Sequence, residues 1–271
     1  MRRLLLPVAA CLLLVSCGKK HSATEEHYLK ANDMVLADDL AGAQKEYELA
    51  IKADSNNWKA YYQMGGVCEL QGDFKNSLYY FTRAIALHPK FTLGYYNRSN
   101  LETIIGDDKS SSRDLKQALE CKKDFFMALL IRGQREYGSG HFKEAISTFS
   151  EAIDIRQDFY MAYSMRGTCR YKMGDFKAAI GDFDMEIKLM PTHVLGYVNR
   201  ALCFGELKDY RSAIDNMNAA IQIDPVWSQS YIYRGMYYQL NGAKDSACGD
   251  FRMAFKLKNP QAEEYSKKYC N

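Results

Sequence analysis

Five arginines recur at a fixed interval of 34 residues: Arg98, Arg132, Arg166, Arg200 and Arg234. A row of cations at constant pitch has two chemical uses. It can bind an acidic ligand, or each guanidinium can hold a carboxylate within the chain, a task suited to its planar, multi-donor head. Asp114, Asp182 and Asp250 follow three of these arginines by 16 residues. If each 34-residue unit folds back on itself near its middle, those positions face each other. Arg98–Asp114, Arg166–Asp182 and Arg234–Asp250 are therefore expected as structural ion pairs. The neighbouring unit without arginine has Met64 and Tyr80 at the two places, which favours pairing over ligand binding.

Other chemistry-bearing residues are not arranged for catalysis. The five histidines (His21, His27, His88, His141, His193) are scattered, and none is spaced to chelate a metal on one helix face. There is no CxxC, no glycine-rich loop ending in Lys-Ser/Thr, and no GxSxG; Gly138-Ser139-Gly140 reads as a turn. Asp182 and Asp184 stand two apart on a helix and so point in different directions. No catalytic residue, metal ligand or cofactor is expected.

The elements that position these residues follow the same period. New units at Thr24, Trp58, Thr92, Phe126, Tyr160, Val194 and Ser228 give seven segments of 34 residues without insertion (24–57, 58–91, 92–125, 126–159, 160–193, 194–227, 228–261). Position 8 of each unit is small (Ala31, Gly65, Ser99, Gly133, Gly167, Ala201, Gly235), and position 20 is small throughout. Position 24 is large (Tyr47, Phe81, Leu115, Phe149, Phe183, Met217, Phe251), and position 27 is Ala in all units but the one with Glu186. Spacings of three and four in both halves predict two amphipathic helices per unit. Turns such as Gly72-Asp73-Phe74 and Gly174-Asp175-Phe176 separate them, and Pro89, Pro191 and Pro225 close three units. One hairpin cannot bury its own apolar face, so the units must stack. Glu186 is expected to reach solvent or meet a local cation.

This period and pattern resemble the tetratricopeptide repeat (TPR), from about Thr24 to Gln261. The likeness is weaker in the first unit, where His27 and Lys30 take usually apolar places, and in the third, around Asp108 and Ser110-Ser111-Ser112. The resemblance implies an all-α, right-handed solenoid of seven helical hairpins with a concave groove for a peptide or protein partner. A short C-terminal capping helix (262–271) is expected to close it. By that likeness the groove-facing positions include Tyr62, Tyr96, Asn100, Gln134, Tyr137, Thr168, Tyr171, Leu202 and Met236. Aromatic, aliphatic and amide groups dominate, and the Lys and Asn clamp of chaperone-tail TPRs is not seen. Such a lining suits apolar contact supplemented by amide hydrogen bonds.

Arg2 and Arg3 precede about a dozen largely apolar residues, Leu4 to Val15, too few to span a bilayer. Leu14-Val15-Ser16-Cys17 is similar to a bacterial lipobox. That likeness implies a signal peptide (1–16), lipid attachment at Cys17 and a short tether (17–23), with outer-membrane placement favoured because Gly18 is not the Asp of the inner-membrane retention rule. Several acyl chains on one residue would anchor stably. Removing Arg2 and Arg3 from the 36 basic residues leaves 34 against 33 acidic ones. A near-neutral chain without a basic run is a poor nucleic-acid binder. Among the remaining cysteines, Cys169 and Cys203 share a position in adjacent units and are expected as core thiols. Cys248 and Cys270 come within bonding reach if the tail folds back. The functional expectation is a non-enzymatic adaptor anchored by lipid at the outer membrane. The alternative is a structural or assembly subunit of a larger envelope complex.

Overall fold

The computed structural model describes residues 22–270; the expected signal peptide, Cys17 and most of the tether lie outside them. The described residues form fifteen α-helices and no strand. The chain divides into two compact units at Ala128/Leu129. The first contains α1 (Ala23–Leu36), α2 (Leu40–Ala53), α3 (Trp58–Leu70), α4 (Phe74–Leu87), α5 (Thr92–Ile104) and α6 (Asp108–Cys121). The division falls within α7 (Phe126–Gly138). The second unit continues with α8 (Phe142–Ile155), α9 (Tyr160–Lys172), α10 (Phe176–Leu189), α11 (Val194–Glu206), α12 (Tyr210–Ile223), α13 (Ser228–Leu240), α14 (Lys244–Lys256) and α15 (Ala262–Tyr269).

Each hairpin is made by one backbone device. Position 15 of the period always takes a left-handed conformation, with φ of 78–84° at Gly72, Gly106, Gly140, Gly174 and Gly242, and 62° at Asp38 and Lys208. Glycine adopts it without steric cost. The next residue caps the second helix: Asp39, Asp73, Asp107, Asp175 and Asp209 each accept the amide hydrogen three residues on. Ala243 stands at that place before α14 and offers no side-chain cap. Ala243→Asp should stabilise the chain by about 1 kcal/mol. An unchanged urea midpoint would count against this account of the turn.

Between the paired helices, size is matched residue by residue. A Cβ added at Gly65 would stand 2.6 Å from Phe81, and one at Gly133 2.7 Å from Phe149. At Gly167 and Gly235 the corresponding distances are 2.9 Å to Phe183 and 2.6 Å to Phe251. Where position 24 is instead Tyr47, Leu115 or Met217, position 8 carries Ala31, Ser99 or Ala201. All seven large residues are 0–3% exposed. Each core is therefore a series of close-packed knobs rather than a loose apolar seam.

The C-terminal helix closes the second unit. Ala262 is buried, and the Tyr265 and Tyr269 rings lie against Phe251 with centroids 5.4 and 6.0 Å away. Cys248 and Cys270 are joined by a disulfide, with Cα atoms 5.6 Å apart. Cys169 and Cys203 are free and fully buried, and burial raises their thiols to about 11 and about 12. They are inert core groups.

Candidate partner-binding site

The arginine row is the best-defined polar construction in either unit. Arg98 donates Nε and Nη2 to the two oxygens of Asp114, at 2.6 and 2.8 Å. Arg234 grips Asp250 in the same bidentate way, at 2.8 and 2.6 Å. Asp182 takes 2.7 Å from Arg166 and a further 2.8 Å bond from Arg170. Arg132 and Arg200 meet neutral residues at the same place, Thr148 at 3.2 Å and Asn216 at 2.7 Å. Lys30 of the first hairpin completes the series by pairing with Glu46 at 2.5 Å, alongside His27 at 2.7 Å. The two residues that weaken the pattern in the sequence are thus this hairpin's version of the same pair.

In four of the five arginines, all but Arg132, a further guanidinium nitrogen reaches backward. Nη1 of Arg98 donates to Thr82, that of Arg166 to Ser150, that of Arg200 to Asp184 and that of Arg234 to Asn218, at 2.5–3.0 Å. Those acceptors all sit at position 25 of the preceding hairpin. Each of these arginines therefore ties three helices, two of its own hairpin and one of the hairpin before. Tyrosines three residues upstream lie under the same heads, with Arg166 5.7 Å from the Tyr163 ring centre and Arg234 5.5 Å from that of Tyr231. With all three guanidinium nitrogens bonded, Arg98, Arg166 and Arg234 are fasteners within their hairpins and to the one before.

Two buried carboxylates depart from their ordinary state. Glu102 is 6% exposed, stands 3.9 Å from the Arg98 Nε that Asp114 already occupies, and has one oxygen without a partner. Burial, reinforced by the Asp114 charge, raises its carboxyl to about 7. The fold thus favours the protonated form, a contribution fully present below about pH 4.5 and lost as pH rises through 7. Glu102→Gln should gain on the order of 2 kcal/mol at pH 8, less than the full shift at about 1.4 kcal/mol per unit because the Arg98 contact weakens. Denaturation midpoints that are unchanged at pH 8, or raised equally at pH 5, would contradict it. Glu186 does not reach solvent: it is fully buried and bonds His193 Nδ1 at 2.6 Å. Burial raises its carboxyl. It fits because Gly196 leaves room, a Cβ there lying 3.2 Å from the Glu186 carboxyl carbon.

The residues expected to face a groove fall into two sets. In the first unit, Tyr62 stacks edge-on against Phe91 at 4.8 Å and its hydroxyl accepts from Asn97 at 2.6 Å; burial raises that phenol to about 12. Tyr96 meets Phe125 edge-on at 5.2 Å, and Asn100 is half-buried beside it on α5. In the second unit, Tyr137 leans on Phe142 at 5.6 Å and Tyr171 on Phe176 at 5.5 Å. Gln134 is exposed. The Thr168 hydroxyl donates to the Ser164 carbonyl of its own helix, so its proton is committed locally.

Leu202 and Met236 are brought together at a cavity of about 330 Å³ lined by α11, α13 and the turn into α12. Gly205, Glu206 and Tyr237 form much of its wall, with Tyr210 and Tyr233. The Tyr237 ring fills the space that a side chain at 205 would need, 2.5 Å from that Cβ position. From α9, Tyr171 donates its hydroxyl proton to Glu206 at 3.2 Å. Burial and the Glu206 charge raise that phenol to about 12, so it stays protonated as a donor. Sequence reasoning missed Glu206 and Tyr237, because the contact runs from one hairpin to the next. A spacing of 35 residues, shared by Tyr171–Glu206 and Asn97–Tyr62, is the signal that finds such bridges.

No helix among the described residues is long and apolar enough to cross a membrane, and no cluster of His, Cys, Asp and Glu among them could hold a metal ion. No curated protein sequence matches the chain. Tetratricopeptide repeat family models match residues 28–90 and 196–226. Among solved structures, the C-terminal part of a TPR repeat-containing protein from Cytophaga hutchinsonii is 15% identical with a TM-score of 0.74, covering 88% of this chain and 98% of that one. A tetratricopeptide repeat protein from Parabacteroides merdae is 21% identical with a TM-score of 0.61, covering 92% and 99%. YrrB, described as a TPR protein with an unusual peptide-binding site, is 19% identical with a TM-score of 0.62, covering 69% and 97%. At these identities the likeness speaks for the fold alone. That fold is all-α, a solenoid of tetratricopeptide-type helical hairpins with repeats recognised in both units.

Proposed function

We propose that the protein is a non-enzymatic adaptor, held at a bacterial outer membrane by lipid on Cys17, that takes a peptide or protein segment against the first helices of its hairpins. The observation that carries this reading is the division of labour among side chains. Arg98, Arg166 and Arg234 are consumed in structural ties, while half-buried tyrosines, Leu202 and Met236 remain partly accessible on α3, α5, α7, α9, α11 and α13. Interfaces are enriched in such aromatic and Met residues and depleted of charge at their centres. The peptide-binding site named for YrrB is an analogy in the same direction.

Two measurements test the proposal. Metabolic labelling with palmitate should mark the protein and fail on Cys17→Ser; an unlabelled wild type removes the anchor. Partner recovery from solubilised envelopes should be stoichiometric for the wild type and lost in Tyr137→Ala/Tyr171→Ala. Retention in that variant would favour the second reading, a subunit of a larger envelope complex. Exposed apolar residues away from those helices, Val226 at 71% and Phe255 at 59%, support that alternative.

A further inference from the structure

We propose that the cavity beside α11 and α13 takes the side chain of an arginine in the partner peptide. The inference rests on the adaptor reading and narrows it to one kind of residue. Its wall combines the rings of Tyr210, Tyr233 and Tyr237 with a carboxylate, Glu206. Aromatic faces attract cations through their quadrupole, and a planar guanidinium can stack on them as well. Glu206 is exposed, and no lysine, arginine or histidine among the described residues lies within ion-pair distance of it. It is nevertheless oriented, because Tyr171 holds Oε1 from the neighbouring first helix at 3.2 Å. A carboxylate fixed by one neutral donor and left without a counter-ion is half of a charge-assisted pair.

The space is large enough for an occupant of this size. Gly205 lets the Tyr237 ring lie against the α11 backbone, so any larger residue there would push the ring from its place. The volume of about 330 Å³ exceeds that of one side chain and leaves room for the backbone that carries it. Lys208 also borders the space from the turn. An acidic side chain would find that single flexible ammonium but would also lie beside the Glu206 carboxylate, which repels it. Arginine satisfies the rings and Glu206 together.

The test uses the full chain labelled with ¹³C at methionine methyl groups, because the Met236 methyl borders the cavity and Met236→Leu assigns its resonance. The probes are acetyl-Ala-Arg-Ala-amide, the citrulline analogue of the same shape without charge, and the glutamate analogue. The arginine peptide should move the Met236 resonance saturably, with the citrulline peptide about tenfold weaker. Glu206→Gln should weaken the arginine peptide about tenfold and leave the citrulline peptide unchanged, with the other methionine resonances undisturbed as a check on folding. Equal titration by arginine and citrulline, preference for glutamate, or no movement with arginine would each overturn the assignment. Stoichiometric recovery from envelopes is a separate readout. If recovery persists without arginine selectivity, this inference fails and the adaptor reading stands.

Discussion

Asp182→Ala lowers the stability of the second unit by roughly 3–5 kcal/mol, because a buried charge pair broken from one side strands its partner. Asp182 is 2% exposed and accepts from both Arg166 and Arg170, so two guanidiniums lose their counter-charge at once. Asp182→Asn should fall in between. The next hairpin shows why: Asn216 already serves Arg200 at this position, while Asp184 supplies the charge. Surface pairs give a control, since Arg156–Asp158, with the aspartate side chain 76% exposed, should cost at most about 1 kcal/mol to remove. The measurement is a denaturant titration combined with hydrogen exchange over α9 and α10. An Asp182→Ala loss no larger than the surface control would mean that the arginine row is not structural.

Phe183→Ala is expected to cost about 3–5 kcal/mol, the range for emptying a large aromatic from a close-packed core. Phe183 is 1% exposed and stands over Gly167. The informative result lies in the combination. Gly167→Ala alone places a methyl 2.9 Å from the ring, and crowding of about 1–3 kcal/mol should exceed the roughly 1 kcal/mol that alanine gains in helix propensity. In the Phe183→Ala background the ring contacts are gone and only Asp182 Cβ, 3.1 Å from the added methyl, still has to give, so the same substitution should cost far less than it does alone. Additive effects of the two changes would show that size matching between the paired helices is not the constraint.

The fold was readable because its determinants are local. Periodicity, the left-handed turn position and the small and large places of a hairpin depend only on residues inside one 34-residue unit. A partner 16 residues away is likewise a property of one hairpin. The acceptors at Thr82, Ser150, Asp184 and Asn218 are different, since they require the pitch at which one hairpin sits on the next. The same holds for Tyr171–Glu206. Lys30 and His27 read as exceptions to an apolar pattern, yet with Glu46 they form a polar substitute that no apolarity scale registers. Glu186 shows the converse limit. A carboxylate in a column of alanines suggests escape to water or a local cation; it does not reach water, and the glycine at 196 and the imidazole of His193 admit it to the interior.

The backward-reaching nitrogen of the arginines has a consequence for how such a chain can change length. Its four recipients differ in chemistry (hydroxyl, carboxylate, amide), yet every one presents oxygen at the same height on the helix. Excising or duplicating a whole 34-residue segment would keep an arginine opposite an acceptable oxygen only where the hairpin before it carries one of these acceptors; Lys116 holds that place in the third hairpin, and Arg132 behind it bonds Thr148 and Glu151 instead. Growth and shrinkage in complete multiples are therefore chemically neutral only at junctions that set an arginine behind a hydroxyl, amide or carboxylate, and a junction behind Lys116 would oppose two cations.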